Sequence, residues 1–527
     1  MPAPEADVVP AAPRQWIRSL DAVVVGFGVA LAVGLRFVTR SPLWLDEALS
    51  VNIAELPIGQ IPEALRHDGH PPLYYVLLHG WMEVFGTGPV AVRALSGVFG
   101  VALFPLLFVA GRRLGGRRGA VGAVALLALS PYAIRYSTET RMYALVMVLG
   151  LAAWLVADDA LERPVPVRLA ALALLTGALL WTHYWSMWLL IAAVGGLLLR
   201  LRSAHRRGRS DVRRRTIAVL AALALGGVLF LPWVPSLLYQ SAHTGTPWAL
   251  PVRPTAMVAQ SLADLGGGPT GEAVLLGFLL LTLVLLALFG HEVDERHVDV
   301  DLHTRPEARP ILFLVAVTLA IASAVGYATG STFATRYIAV LVPLVLAVAA
   351  LGLARLVGGV PYRLVVVAAL VLGAIGGVRN AATDRTEAKV AADAIRTGGR
   401  PGDLVITCPD QLGPSLSRVL PATFDTVTYP RFESPERVDW VDYEARLAEA
   451  SPARFGQEAL RRAGSRTIWL VWSGSYRTHE KSCGQLFSTL LGARPSATES
   501  VADEGDKFFE HEAVHRFRAN PPSSGGG

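Results

Sequence analysis

The chain has 527 residues, of which 52% are hydrophobic and only 17% are charged, and its formal net charge is +6. Soluble domains carry about 25% charged residues, so this composition argues against an ordinary soluble protein. The positive charge does not indicate nucleic-acid binding, because the arginines lie in short loops between apolar segments instead of on one face of a soluble fold.

Apolar segments follow one another from residue 21 to about residue 379, and a more polar composition follows them. A membrane-spanning helix needs about 20 mostly apolar residues. The sequence therefore predicts a polytopic α-helical membrane domain over 20–380, with a cytosolic tail over 1–19 that lacks a cleavable signal. About eleven spans are expected, and the fifth and sixth could also form one long broken helix around Thr182–Tyr184. The predicted spans are 20–38, 89–110, 119–134, 141–157, 168–183, 185–200, 216–235, 272–290, 310–328, 337–355 and 362–379.

Arginines in short loops set the predicted orientation, because such residues are retained on the cytosolic side of a membrane. With the N-terminus inside, the arginine-rich loops around 112–118 and 200–215 are cytosolic, and the loops 39–88 and 236–271 lie outside. An odd number of spans then places the C-terminal domain outside as well. The inside loop 291–309 mixes His291, His297 and His303 with acids, which favours a solvated, disordered loop over a metal site.

The first outer loop, 39–88, is expected to contain interfacial helices at Pro57–Arg66 and Leu73–Phe85. The second is too short to span a membrane, and its tyrosines and tryptophan suit the headgroup level.

The C-terminal region 381–520 predicts an extracytoplasmic α/β domain, and 521–527 a disordered tail. Strands are expected at 403–407 and 467–472, with helices at Gln411–Leu420 and Tyr443–Ala450. Cys408 and Cys483 form a disulfide if this domain lies outside the cytosol, and are otherwise two buried thiols.

Adjacent carboxylates, Asp46 and Glu47, follow the first predicted span. Carboxylates at a membrane boundary are costly to desolvate, so they either mark the end of the helix in water or include a general base with a raised pKa. A little further on, His67, Asp68 and His70 either bind a metal or order the loop by hydrogen bonding.

Further polar residues fall at the outer ends of later spans. Arg135, Glu139 and Arg141 precede the fourth predicted span, and Arg336 opens the tenth. A guanidinium group matches the geometry of phosphate, although ion pairing with Glu139 or contact with lipid headgroups would also explain these arginines. His183 lies between two apolar segments, where it could bind sugar or phosphate or satisfy a backbone group.

Several of these segments together resemble the GT-C superfamily of membrane glycosyltransferases, over about residues 20–380. The similarity is to glycosyltransferase family 39 and the RgtA/B/C/D-like branch, which includes protein O-mannosyltransferases and lipid A aminoarabinose transferases. The motifs that carry it are Trp44-Leu-Asp-Glu47, His70-Pro-Pro-Leu-Tyr-Tyr75, Gly88–Arg93, Ser130-Pro-Tyr132 through Arg141-Met-Tyr143, and Arg336-Tyr337 with Pro343.

The resemblance implies inverting transfer of a sugar from a polyprenyl-phosphate donor to a hydroxyl of a cell-envelope glycan, lipid or protein. The C-terminal domain resembles those of actinobacterial members, for which mannose or arabinose would be expected. Asp46 falls on the base, and Glu47 beside it is counted with the catalytic residues as a group that orients the acceptor or Asp46. Arg141, Arg336 and Arg135 are the expected phosphate ligands. Substrate contacts are expected from His70, Tyr74, Tyr143, His183 and Tyr337.

No cofactor is implied with certainty, and a divalent metal at His67, Asp68 and His70 is left open. The chain contains no glycine-rich phosphate loop, so a nucleotide-driven transporter gains no support. The remaining alternatives are a lipid-carrier flippase or transporter, which would place its polar residues at mid-membrane on broken helices, and a non-catalytic membrane scaffold.

Overall fold

The fold is known from a computed structural model, which describes residues 28–245, 252–295, 297–330, 333–474, 476, 479, 481–505 and 507–519. The predicted tails at 1–19 and 521–527 lie outside the described residues, and so does most of the first half of the predicted span 20–38.

Long apolar helices make up the N-terminal two-thirds of the described chain. Among the described residues, seven helices are long and apolar enough to cross a membrane, and two shorter apolar helices accompany them. The long helices are Pro89–Ala128, Tyr143–Glu162, Ser186–Arg206, Ser210–Phe230 continued by Leu231–Trp233 and Val234–His243, Gly271–Phe289, Arg309–Thr329 and Gly359–Ala382. The shorter ones are Pro166–Thr182 and Val342–Ala354, the latter preceded by the 3-10 helix Thr335–Val340. The predicted polytopic helical fold is confirmed.

The segment Pro89–Ala128 is two helices joined by a tight reversal, as the separate predicted spans 89–110 and 119–134 require. Gly115 and Gly116 leave the helical conformation, and Gly116 has a φ of +61°, which favours glycine. The two arms then approach closely, since a Cβ on Gly111 would lie 2.4 Å from the carbonyl oxygen of Gly119. Small residues permit this kind of contact between membrane helices. The second arm ends at Ala128, earlier than predicted, because Ser130 caps a new helix, Pro131–Ser137.

The chain breaks between the fifth and sixth predicted spans, so the two are separate helices. Pro166–Thr182 ends at His183, whose backbone is extended, and the next helix begins at Ser186.

The outer loop folds into three helices, Leu45–Ala54, Ile61–Asp68 and Leu73–Phe85. The last matches the predicted bounds, and the second overlaps the predicted Pro57–Arg66. The first was not predicted.

A mixed five-stranded sheet forms the centre of the C-terminal domain, within the described residues. The hairpin strands β1 (Gly290–Glu292) and β2 (Val298–Val300) lie earlier in the chain. The sheet strands are β3 (Leu404–Cys408), β4 (Asp425–Thr428), β5 (Ile468–Trp472), β6 (Ala497–Val501) and β7 (Ala513–Phe517). Their order is β4-β3-β5-β7-β6, with β3 parallel to β4 and β5 and with β7 antiparallel to β5 and β6. The helices are Ala388–Gly398, Asp410–Leu412, Gly413–Ser417, Tyr443–Glu449, Pro452–Ala463 and Ser482–Ala493.

Apolar clusters cover both faces of this sheet, and Cys408 and Cys483 are joined by a disulfide in one of them. The predicted α/β class is therefore confirmed. The helix predicted at Gln411–Leu420 is much shorter, because it consists of a 3-10 turn followed by Gly413–Ser417.

The loop 291–309 was expected to be disordered, but it contains the antiparallel pair β1–β2. His297 and His303 bond to their sequence neighbours Asp294 and Asp301. In the described part of this loop, these histidines belong to no metal-binding cluster.

The C-terminal domain packs directly on the first helix of the outer loop. Trp44, Leu45 and Leu49 form an apolar cluster with Trp440 and Tyr443. Polar contacts surround this cluster: Arg418 pairs with Glu55 at 2.7 Å, and His67 bonds to Asp439 at 2.8 Å.

Candidate active site

A cavity of about 410 Å³ lies where the outer loop, the ends of the membrane helices and the C-terminal domain meet. The outer loop contributes Trp44, Leu45, Asp46, Leu49, Asp68, Gly69 and His70, and the helix ends and connectors contribute Arg141, Tyr143, Thr244, Gly245, Arg336 and Tyr337. The C-terminal domain contributes Gln411, Trp440, Tyr476, Phe509, Glu510 and His511.

Asp46 lies in the cavity wall, in the first turn of the helix Leu45–Ala54. Its side chain is 14% exposed. Arg336 donates a hydrogen bond to its carboxylate at 3.0 Å, and a guanidinium nitrogen of Arg141 lies 3.9 Å away. The structure thus brings the expected base together with two expected phosphate ligands, from segments nearly 300 residues apart.

A network of hydrogen bonds holds Arg141 in place. Its guanidinium donates to the Ser50 and Tyr75 hydroxyls at 3.1 and 3.2 Å and contacts Nε2 of His70 at 3.1 Å. Since Arg141 can only donate, Nε2 of His70 accepts, and its Nδ1–H donates to Asp68 at 2.9 Å. Burial alone would raise the pKa of Asp68, but His70 and Arg141 outweigh it and lower that pKa.

Glu47 points away from the cavity, although it is adjacent to Asp46 in sequence. It is fully buried and accepts two hydrogen bonds from Arg93, at 2.7 and 2.5 Å, and one from the Thr140 amide at 3.0 Å. Arg385 lies 3.7 Å from it. Burial would raise the pKa of Glu47, yet the two arginines lower it. The expected catalytic role does not fit this enclosed position; Glu47 anchors an ion-pair cluster behind the site.

The expected substrate-binding aromatic residues divide into two groups. Tyr143 and Tyr337 line the cavity. His183 lies behind them, with its ring centroid 5.8 and 5.6 Å from theirs, and its Nδ1 accepts a hydrogen bond from the Trp185 amide. Tyr74 is fully buried and bonds to Ser96, so direct contact with substrate does not fit its position.

Arg135 does not reach Asp46, contrary to expectation for a ligand of the same phosphate. It lines a second cavity of about 200 Å³, together with Asp264, Arg379 and Arg385. Trp44 and Phe509 line both cavities, and their rings pack edge to face with centroids 5.2 Å apart.

The three residues considered for a metal do not converge. His67 bonds to Asp439, whereas both ring nitrogens of His70 are engaged by Asp68 and Arg141. Within the described ranges, the one cluster with metal-ligand spacing consists of Cys408, His479 and Cys483. Its two cysteines are joined in the disulfide.

The sequence analysis missed the contribution of the C-terminal domain. Glu510 lines the cavity and is 2% exposed, and burial raises its pKa to about 7. The segment Phe508-Phe509-Glu510-His511-Glu512 places two aromatic residues before three ionisable ones, just ahead of a strand, and this pattern was the available signal. Arg385 was also missed by the sequence analysis, because it follows the last membrane helix without any recognisable motif.

Comparisons with known proteins find one matching family and several similar folds. Residues 69–235 match the family described as dolichyl-phosphate-mannose-protein mannosyltransferase. The fold is similar to the crystal structure of ArnT from Cupriavidus metallidurans in the apo state, with a TM-score of 0.56 and 13% identity over 97% of this chain and 100% of ArnT. The structure of that ArnT bound to undecaprenyl phosphate gives a TM-score of 0.52 and 14% identity, with the same coverage. A search of curated proteins finds no match.

The class of protein follows from these similarities. The chain is a multi-pass membrane protein with the GT-C fold of membrane glycosyltransferases, as the first-loop motifs indicated. The match to the mannosyltransferase family begins just after Asp68 and contains His70 and Arg141, so it includes part of the cavity wall.

Proposed function

We propose that this protein transfers a sugar from a polyprenyl-phosphate donor to an acceptor hydroxyl, on the extracytoplasmic side of the membrane. The observation that carries the proposal is the position of Asp46, a carboxylate in the wall of a 410 Å³ cavity facing Arg336 at 3.0 Å and Arg141 at 3.9 Å. A single base beside two phosphate-binding groups suits displacement of a phosphate by a hydroxyl.

The position of the arginine-rich loops supports an extracytoplasmic site. The helix that begins at Pro89 carries Arg93 at the cavity end and Arg113 at its other end, where Arg113 pairs with Asp159 at 2.9 Å. The cluster between residues 200 and 215 lies at the far end of the helix beginning at Ser186. Because arginine-rich loops stay in the cytosol, the opposite, cavity-bearing end faces outward.

The reaction we propose is a single displacement. Asp46 accepts the proton of the acceptor hydroxyl. At the same time, the hydroxyl oxygen bonds to the anomeric carbon of the donor sugar, on the face opposite the phosphate. The bond between that carbon and the phosphate oxygen breaks, and polyprenyl phosphate departs with an added negative charge. The guanidinium groups of Arg336 and Arg141 stabilise that charge.

Arg336 has a particular place in this proposal. Its guanidinium donates a hydrogen bond to the Asp46 carboxylate while the donor is absent. An incoming phosphate would compete for the same guanidinium and release Asp46 to act as a base. Arg141 is held by Ser50, Tyr75 and His70, so it would keep its position throughout.

The similarities support the class of donor that we propose. The ArnT structure holds undecaprenyl phosphate, and the matched family is described by its use of dolichyl-phosphate mannose. We therefore propose a polyprenyl-phosphate sugar of the mannose or arabinose type, with a cell-envelope glycan, lipid or protein as acceptor. We propose that the acceptor contacts the wall that the C-terminal domain contributes, which includes Gln411, Trp440 and His511.

Transfer by purified protein tests the proposal. The protein in proteoliposomes is given decaprenyl-phosphoryl-[14C]mannose or decaprenyl-phosphoryl-[14C]arabinose, with synthetic octyl glycosides or extracted envelope glycans as acceptors. We expect labelled product from the wild type and a loss of about 10²–10⁴-fold in kcat for Asp46→Asn. The matched control is Asp158→Asn, which alters a carboxylate 3.4 Å from Arg113 at the opposite end of the helices and should leave kcat unchanged.

Other outcomes would support the alternatives. Movement of labelled donor across the bilayer without product would indicate a flippase, and neither movement nor product would indicate a scaffold. Full activity of Asp46→Asn would remove the proposed base.

A further inference from the structure

The helix that carries Asp46 begins without a side-chain cap of its own. Its N-cap residue, Trp44, has an extended backbone and makes no capping hydrogen bond among the described residues. Serine, threonine, aspartate and asparagine are the usual caps, because their oxygens accept from amides that have no partner inside the helix. The first turn of Leu45–Ala54, which contains Asp46, thus depends on an acceptor from elsewhere.

Glu510 of the C-terminal domain supplies that acceptor. The backbone amide of Leu45 donates a hydrogen bond to one carboxylate oxygen of Glu510 at 2.6 Å. The hydroxyls of Thr386 and Ser415 donate to the other oxygen, Thr386 at 3.2 Å. The capped residue is the immediate neighbour of Asp46, although the cap lies 465 residues away in sequence.

The backbone of Glu510 is also held by hydrogen bonds. The Glu510 amide donates to the Arg385 carbonyl at 2.8 Å, and the Glu387 amide donates to the Glu510 carbonyl at 2.9 Å. The Arg385 amide in turn donates to the Ser41 hydroxyl at 2.7 Å, just ahead of the helix. The segments around 385 and 510 therefore form a rigid support for the start of the Asp46 helix.

We propose that Glu510 is a positioning residue: it caps the Asp46 helix from the C-terminal domain and holds Asp46 in line with Arg336. This inference rests on the proposed function of the site. Glu510 is not assigned a catalytic role, because the Leu45, Thr386 and Ser415 donors already occupy both of its oxygens. The C-terminal domain is thus part of the site that aligns the base.

Variants of Glu510 test the cap through the balance of kcat and KM. Glu510→Ala removes the acceptor, whereas Glu510→Gln keeps an oxygen that accepts from the Leu45 amide. Since a misplacement of about 1 Å can cost about 100-fold in rate, we expect Glu510→Ala to lower kcat by about 10- to 100-fold with a donor KM within about threefold. Glu510→Gln should retain kcat within about threefold. A simple loss of stability would not produce this split or its rescue by glutamine.

Glu512→Gln is the matched control. Glu512 is fully buried two residues further on, and neither of its carboxylate oxygens has a hydrogen-bond partner within the described part of the chain. It does not line the cavity, so its replacement should leave kcat unchanged.

A second variant removes the same bond from the donor side. Leu45→Pro deletes the amide hydrogen at the first helical position, where proline is well tolerated and where the extended Trp44 backbone is compatible with it. Leu45→Pro should lower kcat to a similar extent, and adding Glu510→Ala should lower it little further.

Hydrogen exchange of the substrate-free protein separates this inference from the proposed function. Amide exchange in a peptide covering 43–50 should accelerate in Glu510→Ala but not in Glu510→Gln. If the wild type transfers no sugar while exchange responds in this way, the cap stands and the proposed function fails. If the wild type is active but Glu510→Ala keeps kcat within twofold or leaves exchange unchanged, the positioning role is overturned.

Discussion

Two clusters of acids and arginines lie back to back in this protein, and they differ in access to the cavity. In the cavity cluster, Asp46 faces Arg336 and Arg141 and remains 14% exposed. In the enclosed cluster, Glu47 faces Arg93 and Arg385 and is fully buried. The carboxylates are adjacent in sequence, and the helix turns them in different directions, one toward the cavity and one toward the interior.

The adjacent residues Asp46 and Glu47 therefore have different roles. Glu47 accepts a bidentate pair and a backbone amide, so its bonds are complete without any ligand. Asp46 has one hydrogen bond to an arginine from a separate segment, and a ligand can exchange with that arginine. The enclosed cluster stabilises the first outer loop, whereas the carboxylate of the cavity cluster remains accessible to a ligand.

Replacing the enclosed carboxylate should give the largest change in stability. Glu47→Gln removes the carboxylate that pairs with Arg93 and leaves Arg385 with Glu139 at 3.9 Å, and breaking a buried pair costs about 3–5 kcal/mol. We expect a marked fall in the thermal unfolding temperature of the detergent-solubilised protein, with a parallel loss of folded yield.

The comparison depends on Asp46→Asn behaving differently in the same measurement. Because Asp46 borders an open cavity, its replacement should leave the unfolding temperature within a few degrees of wild type while it lowers kcat by about 10²–10⁴-fold. Equal destabilisation by both variants would show that the two clusters are one structural unit.

Lysine substitutions of Arg336 and Arg141 should have smaller effects, and the two should differ in their balance between donor KM and stability. Lysine cannot reproduce the bidentate contact of a guanidinium with phosphate. Arg336→Lys should raise the donor KM by about 10- to 100-fold with little effect on stability, since Asp46 is the one hydrogen-bond acceptor found for Arg336 among the described residues. Arg141→Lys should also lower the unfolding temperature, because Arg141 donates to Ser50 and Tyr75. Kinetic constants and melting curves for both variants decide this, and a reversed pattern would exchange the roles of the two arginines.

The sequence predicted the helical membrane body well, because the length of an apolar segment is a local signal. The same holds for Leu73–Phe85 and for β3 and β5, which are apolar segments bounded by polar ones. Asp46, Arg141 and Arg336 could be nominated because each lies in a recognisable motif at a helix end.

Partner choice could not be predicted, because it arises from contacts over long sequence distances. Nothing in the residues around Glu47 indicates that Arg93 and Arg385 enclose it, or that Asp46 alone faces the cavity. Arg135 was nominated for its position before a span, but the turn of Pro131–Ser137 directs it to the second cavity. The role of Glu510 depends on how the C-terminal domain packs against the first loop, and the residues around Glu510 do not indicate that contact.

The pH dependence of stability should separate the enclosed cluster from a buried acid that forms no ion pair with any described residue. Asp410 in the C-terminal domain is buried and accepts a hydrogen bond from the Tyr443 hydroxyl, and burial raises its pKa to about 7. A raised pKa means that the folded protein keeps a proton that the unfolded chain has lost, so this contribution to stability is lost as pH rises from about 4 to about 7. The lowered pKa of Glu47 has the opposite sign: its contribution is present above its ordinary value of 4.5 and is lost only below it.

Melting curves between pH 5 and pH 8 measure the two effects side by side. Asp410→Asn keeps an acceptor for Tyr443 but never ionises, so we expect it to gain on the order of 1 kcal/mol relative to wild type at pH 8 and to lose that advantage at pH 5. The deficit of Glu47→Gln should stay constant over the same range, because Glu47 is ionised throughout it. A pH-independent difference for Asp410→Asn would show that Asp410 is ionised in the folded protein, and the contrast between compensated and uncompensated buried acids would then fail.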